Sequence, residues 1–214
     1  MLGLETVYQS HHKRRGDGFA ILLQERGDFL RKHIGTGKKI LDIGCRDGQL
    51  TKEYMAGNTV TGADIDSEAL ERARALGVES VHLDLNDAWP FAPNSFDAVV
   101  ACEFLEHIYF PAVVFEKIEA ALRPGGILVG TVPHAYSLQS RIKFLLGIKR
   151  GTPLEDPTHI NHFTFREFKG LLSARFELVE LTGHVPPRYK LVAKLFPTLF
   201  IHDMMFCAKK KTKE

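Results

Sequence analysis

Cysteine is scarce in this 214-residue chain. Cys45, Cys102 and Cys207 are odd in number and lack metal-ligand spacing, so neither a disulfide framework nor a zinc site is expected, and a reducing cytoplasm fits best. Long hydrophobic runs are also missing: no stretch approaches the ~20 apolar residues of a membrane-spanning helix, and the N-terminus has no apolar segment of signal-peptide length. Nor is there a surplus of charge, because a net charge of +2 is too small to argue for a nucleic-acid partner. That excess comes from a basic tail, Lys209 to Lys211 with Lys213, read as a solvated terminus. Repeats and low-complexity segments are absent. What is present, 44% hydrophobic and 25% charged residues, requires neither disorder nor a membrane span. The length suits a single domain, 1–214, with a large core.

Within that composition, ILDIGCRDGQL at 40–50 and VTGADID at 60–66 stand out. An apolar run enters a Gly-containing turn, and a second apolar run ends on a carboxylate about 20 residues past the first glycine, the layout of a nucleoside site. Gly44 and Gly48 let the turn bend tightly and bring backbone N–H groups against a ligand. Asp64 can accept two hydrogen bonds from a ribose diol. A phosphate cradle would need a Lys-Ser/Thr pair, whereas Gln49, Leu50 and Thr51 follow the turn. Arg46 and Gln49 occupy the second and third glycine places of the dinucleotide pattern. A ligand carrying adenosine without a pyrophosphate is favoured.

These residues resemble the class I S-adenosylmethionine-dependent methyltransferases, in particular the small-molecule, ubiquinone-biosynthesis-like (type 11) group. The family's D-x-G-C-G-x-G is matched by Asp42, Ile43, Gly44, Cys45, Asp47 and Gly48, with Arg46 as the departure. Asp64, Asp84 in VHLDLNDAWPF, SFDAVVACEFLEHI at 95–108 and ALRPGGILVGTVPH at 121–134 follow in the family's order. The resemblance implies S-adenosyl-L-methionine as cofactor, held by Asp42, Gly44, Cys45, Gly48, Asp64, Ile65, Asp84, Leu85 and Glu103. For Glu103, capping of a helix at the strand exit is the alternative role. Arg46 would narrow the methionine pocket or point to solvent.

Alternating strand and helix patterns place strands near 39–43, 58–64, 79–83, 96–101 and 126–132. Helices are expected from 48, over 66–76 with Asp66 as cap, and over 111–122 with Pro111 first. Such alternation requires a parallel sheet with helices on both faces. A further helix is read over Phe19 to Ile34, after a polar start at His11 to Arg15. Thr164 and Glu167 form a capping box for a helix whose apolar face carries Phe165, Phe168, Leu171 and Leu172. Runs at 176–181 and about 200–208 can pair as a hairpin, agreeing with the antiparallel last strand of the methyltransferase fold. The resemblance thus implies a Rossmann-like, seven-stranded, mostly parallel α/β sheet. Its parts would be an N-terminal helical segment (1–37), a cofactor core (38–134), a lid or acceptor insertion (135–163), and a final helix and hairpin (164–214).

Methyl transfer needs alignment and exclusion of water more than catalytic side chains. A base matters only where the acceptor must lose a proton, and His134, His159 and His162, at expected strand ends and loops, are the candidates for base or acceptor-orienting group. A structural histidine bonding a loop is the alternative for each. With only Asp156 near His159 and His162 in sequence, no metal is expected. Glu106 and His107 follow the fourth strand, with His107 read as structural. Residues 137–150 carry Leu138, Ile142, Leu145 and Leu146 on one helical face beside Arg141, Lys143, Lys149 and Arg150. They read as a lid over the acceptor or a contact with an anionic membrane surface, and a lipid-linked acceptor would join the two. The expected activity is methyl transfer to a small molecule, most readily at oxygen, with no nucleic-acid partner. The rivals are a catalytically silent cofactor-binding module that regulates another enzyme, and a nucleotide-dependent oxidoreductase, which the glycine spacing disfavours.

Overall fold

The computed structural model describes residues 3–212. Helices α1 (Leu4–Arg15) and α2 (Leu23–Ile34) precede β1 (Lys39–Ile43), α3 (Lys52–Met55), β2 (Thr59–Asp64), α4 (Ser67–Ala75) and β3 (Glu79–His82). Then come β4 (Phe96–Cys102), α5 (Pro111–Ala121), β5 (Leu122–Pro133), α6 (Leu138–Leu145) and α7 (Phe165–Arg175). The chain closes with β6 (Phe176–His184), α8 (Lys190–Leu195), α9 (Pro197–Phe200) and β7 (Asp203–Lys210).

The strands form one seven-stranded sheet in the order β3-β2-β1-β4-β5-β7-β6. All neighbours are parallel except those of β7, which runs antiparallel between β5 and β6. Successive residues of a strand point to opposite faces, and both faces of β1 are covered. Leu41 and Ile43 join Val99, Phe115, Phe168 and Phe206 on one side, while Ile40 joins Val60, Val100, Leu30 and Tyr54 on the other. This explains why the KILDI run is apolar without alternation. The strand order reverses between β1 and β4, and that is where an open α/β sheet forms a ligand crevice beyond the carboxyl ends of its strands.

Local signals account for several ends. Asp66 accepts a hydrogen bond from Ala69 N and caps α4. Thr164 and Glu167 make the reciprocal capping box of α7, whose Phe168 and Leu172 are buried. Elsewhere the observed elements differ from the sequence reading. The segment 11–15 is not a polar lead-in but the end of α1. The helix read from Phe19 starts only at Leu23, because Leu22 takes a left-handed backbone (φ 51°) that breaks the turn. The helix read from 48 begins at Lys52, since Gly48 (φ 76°) belongs to the preceding turn. Lys209 and Lys210 are not a solvated tail: they belong to β7, and Lys210 Nζ donates to Leu122 O and Asn94 Oδ1. Lys213 lies outside the described residues.

Residues 138–145 do form a helix, yet its apolar side faces outward, with Leu145 87% exposed. Among the described residues, no helix is long and apolar enough to cross a membrane.

Candidate active site

The Gly-rich turn leaves β1 with three left-handed residues, Gly44 (φ 73°), Arg46 (φ 50°) and Gly48 (φ 76°). A Cβ on Gly44 would meet the Phe104 ring, 2.8 Å away. The turn is braced from below by Asp42, whose Oδ2 accepts from Thr51 Oγ1 and Tyr54 Oη. Burial raises the Asp42 pKa to about 6 against these two bonds. Asp64, at the end of β2, accepts Arg46 N at 2.8 Å through Oδ2 and Asp66 N at 2.9 Å through Oδ1. Each oxygen therefore keeps a lone pair for a further donor. Burial raises the Asp64 pKa.

Together these groups line one cleft with about 1130 Å³ of empty space, its open mouth included. Asp42, Gly44, Cys45, Asp64, Ile65, Asp84, Leu85 and Glu103 all border it. Gly48 does not: it backs onto α4, where a Cβ would sit 3.4 Å from Ala73. Asp84 Oδ1 accepts Asn86 N and Nδ2 in a tight Asx turn beyond β3. Glu103 caps no helix. It sits at φ 50°, accepts Thr131 Oγ1 at 3.1 Å and pairs at 3.0 Å with Arg26 of α2. Arg26 also donates to Asp203 of β7 at 2.5 Å. Burial alone would lower the pKa of Arg26, but Glu103 and Asp203 outweigh it and raise it. The guanidinium thus stays charged and anchors α2 to the floor of the cleft.

Arg46 lines the cleft, and its guanidinium does not point to solvent. Its guanidinium crosses to the N-terminal segment and donates to the carbonyls of Phe19 at 2.8 Å, His12 at 3.2 Å and Gly16. The departure from the family's glycine is therefore a latch on the segment between α1 and α2.

Helix α1 and that segment supply one wall, whose individual residues sequence reading did not name as part of the site. Leu4, Tyr8, His11, His12, Arg15, Phe19, Ala20 and Ile21 line the cleft, whereas no residue of 137–163 does. The signal was available, because 4, 8, 11, 12 and 15 share one face of a helix, but that face is mostly polar and did not register as apolar periodicity. His12 Nδ1 lies 2.7 Å from Asp66 Oδ2, tying α1 to the cap of α4. Burial, reinforced by Arg15, lowers the His11 pKa to about 4.

The three histidines read as candidate bases are dispersed. His134 is buried behind the sheet end, donating Nδ1–H to Ile201 O at 2.7 Å, and does not line the cleft. His162 lies outside it as well. His159 borders an adjoining hollow with His11, Arg15 and Asp156. The cleft is bordered instead by Tyr8, His11 and His107. Burial pushes the His107 pKa down to about 4 and the Tyr8 pKa upward.

A sheet of this order with one antiparallel strand, a Gly turn after β1 and an acid after β2 is the architecture of the class I S-adenosylmethionine-dependent methyltransferases, and residues 41–130 match the family model described as "Methyltransferase domain". Over those residues the chain is similar to that class. Among curated proteins it is 36% identical over 109 residues to a ubiquinone biosynthesis O-methyltransferase of Chromobacterium violaceum, covering 47% of each chain. It is 34% identical over 123 residues to the protein of that name from Nitrosococcus oceani, covering 52% of each. The chain thus spans about half the length of the curated relatives it matches. In fold it resembles a Burkholderia thailandensis 1,6-didemethyltoxoflavin-N1-methyltransferase solved with its acceptor and S-adenosylhomocysteine. The TM-score is 0.69, at 21% identity over 98% of this chain and 88% of that one.

Residue chemistry agrees with the cofactor of this class. A buried carboxylate with spare lone pairs suits a ribose diol, and the apolar walls of Ile65 and Leu85 suit a flat base. The turn has no lysine for a phosphate.

Proposed function

We propose that this protein moves a methyl group from S-adenosylmethionine to an oxygen of a small-molecule acceptor. The carrying observation is Asp64: a buried carboxylate at the carboxyl end of β2, oriented by two backbone N–H groups and still able to accept. The cofactor supplies an electrophilic methyl on a sulfonium. The chain's own work is alignment and exclusion of water. Asp64 and Asp84 would hold the ribose and base, Arg26 would keep Glu103 in place beside the methionine part, and Tyr8, His11 and His107 would bound the acceptor. The choice of oxygen draws on the names of the matched relatives.

Calorimetry with S-adenosylhomocysteine tests the reading, with one binding site expected. Each hydrogen bond to a charged group contributes roughly 1.5–3 kcal/mol, so Asp64→Ala should weaken binding at least about tenfold. No detectable binding by the parent protein would end the proposal. Transfer of labelled methyl to phenols, and not to amines, would establish the acceptor atom.

A membrane-bound or lipid-linked acceptor is the reading we favour within that class. Residues 137–150 and 186–200 contain seven basic and no acidic residues. Helices α6 and α8 both pack on α9 and expose Leu145, Leu191 and Leu195, the pairing of apolar and cationic groups suited to an anionic lipid surface. Cosedimentation with phosphatidylglycerol vesicles, lost on Leu145→Asp with Leu195→Asp, is expected. Equal recovery with neutral vesicles, or none with either, would count against it.

A further inference from the structure

Beside the cofactor cleft, three side chains from two separate segments converge on one point. Glu106 and His107 lie in the short turn that follows β4, and His159 comes from the loop before α7. One ligand atom from each falls within 4.8 Å of the others. His107 Nε2 and His159 Nε2 are each 3.9 Å from the same oxygen, Glu106 Oε1. Among the described residues this is the only such convergence of three potential ligands.

Two features separate it from a chance cluster. Both carboxyl oxygens of Glu106 are buried without any hydrogen-bond partner in the protein, its side chain being 1% exposed. A buried carboxyl without partners is costly to keep. Both imidazoles, in addition, are already oriented from behind. His107 Nδ1 lies 2.9 Å from Thr158 O, and His159 Nδ1 lies 2.9 Å from Pro153 O. A carbonyl only accepts, so each Nδ1 carries the proton and each Nε2 presents a lone pair toward Glu106. A backbone carbonyl fixing one ring nitrogen while the other faces forward is the usual support of a metal-binding histidine.

The two segments are also locked together. Ile160 N and Asn161 N both donate to Glu106 O at 2.9 Å, and Asn161 Nδ2 donates to Ile108 O at 2.5 Å. The three ligands are therefore preorganised by backbone, as a precise site requires. Asp156 keeps its own partners, Arg15 and Thr158, and its Oδ2 lies 3.9 Å from His159 Nε2, so it orients the loop at the edge of the cluster.

We propose that Glu106, His107 and His159 form a binding site for one divalent first-row transition ion, of the Zn²⁺, Fe²⁺ or Mn²⁺ class, with open coordination positions. Two imidazole nitrogens and one carboxylate suit such ions better than Mg²⁺ or Ca²⁺, which prefer oxygen throughout. Tetrahedral Zn²⁺ with bonds of ~2.0–2.1 Å sets its ligand atoms ~3.3 Å apart, so a small inward rotation of the side chains completes the set. His107 borders the cofactor cleft and His159 the adjoining hollow. An acceptor oxygen entering there would reach the ion, which would favour its deprotonated form. That catalytic use rests on the methyltransferase reading; the site itself does not.

The test is direct metal binding to the full chain after EDTA treatment and dialysis, without cofactor or acceptor. Zn²⁺ titration by calorimetry and Co²⁺ absorption spectra are the readouts, with Mg²⁺ as comparison. One Zn²⁺ per chain is expected, together with Co²⁺ visible bands of a low-coordinate nitrogen and oxygen site. Glu106→Gln and His159→Asn should each weaken Zn²⁺ at least tenfold; asparagine retains an N–H for Pro153 O while losing the ligand. Circular dichroism and S-adenosylhomocysteine binding of the variants report folding and the cofactor site separately. Less than a tenth of an equivalent of Zn²⁺ bound by the parent protein would overturn the site. So would unchanged Zn²⁺ affinity in both folded variants, or preference for Mg²⁺.

Discussion

At the scale of single residues, Arg46 shows how one side chain changes the meaning of a motif. Its positive φ costs on the order of 1–3 kcal/mol for a residue other than glycine, and that cost is retained because the guanidinium reaches three carbonyls of the N-terminal segment. Arg46→Gly should relieve the strain and release the latch together. We expect faster amide hydrogen exchange across residues 4–21 and weaker S-adenosylhomocysteine binding, with the sheet's exchange unchanged. Protection of 4–21 equal to that of the parent would show that the latch does not hold the segment. Asp64 carries the opposite lesson. Its role follows from position at a strand end, and its partners are backbone groups that no sequence pattern names.

At the scale of elements, the caps and the sheet's closest approaches bear most directly on stability. Thr164→Ala removes the hydrogen bond to Glu167 N and should cost about 1 kcal/mol, which in a chain of this size lowers Tm by about 2–4 °C. Thermal melts would show it, and Tm within 1 °C of the parent would mean that α7 is held by the packing of Phe168 and Leu172 instead. Gly130 is stricter. A Cβ there would fall 1.9 Å from Ala101 O of the paired strand β4, so Gly130→Ala must push β5 away from β4. A loss of about 3 kcal/mol or more in urea unfolding, or failure to fold, is expected, at the upper end of overpacking costs.

The whole molecule is organised around buried charge at the junction of α2, β4 and β7. Burial, with Glu103 adding to it and Arg26 opposing it, pushes the Asp203 pKa up to about 8, and burial lifts Asp42 to about 6. Acids raised above their unfolded value of ~3.9 contribute stability that is present below that value and lost as pH rises through the folded value. His11 and His107, lowered to about 4 by burial, act the other way. Their contribution is complete above ~6.5 and lost as pH falls through 4. Of these four groups Asp203 is the one that still changes between pH 6.5 and 8, so Tm should fall from pH 6.5 to 8.5. Asp203→Asn should flatten that slope, and a parent Tm that rises over this interval would contradict the assignment.

Sequence alone determined the Gly-rich turn of this protein and the acid that faces it. Gly44 and Asp64 were legible because a tight turn after a buried strand and an acid at the next strand end are local features, set ~20 residues apart. The alternation of apolar runs and helical patterns likewise fixed a covered parallel sheet, and Thr164 with Glu167 marked the start of α7. The tertiary structure alone decided the opposite wall of the cleft. Tyr8 and His11 reach the cleft only because α1 folds back across the strand ends, and Glu106 meets His159 across 53 residues of chain. Lone pairs and orphaned carboxyls are properties of where chains converge, and spacing along the sequence carries no record of them.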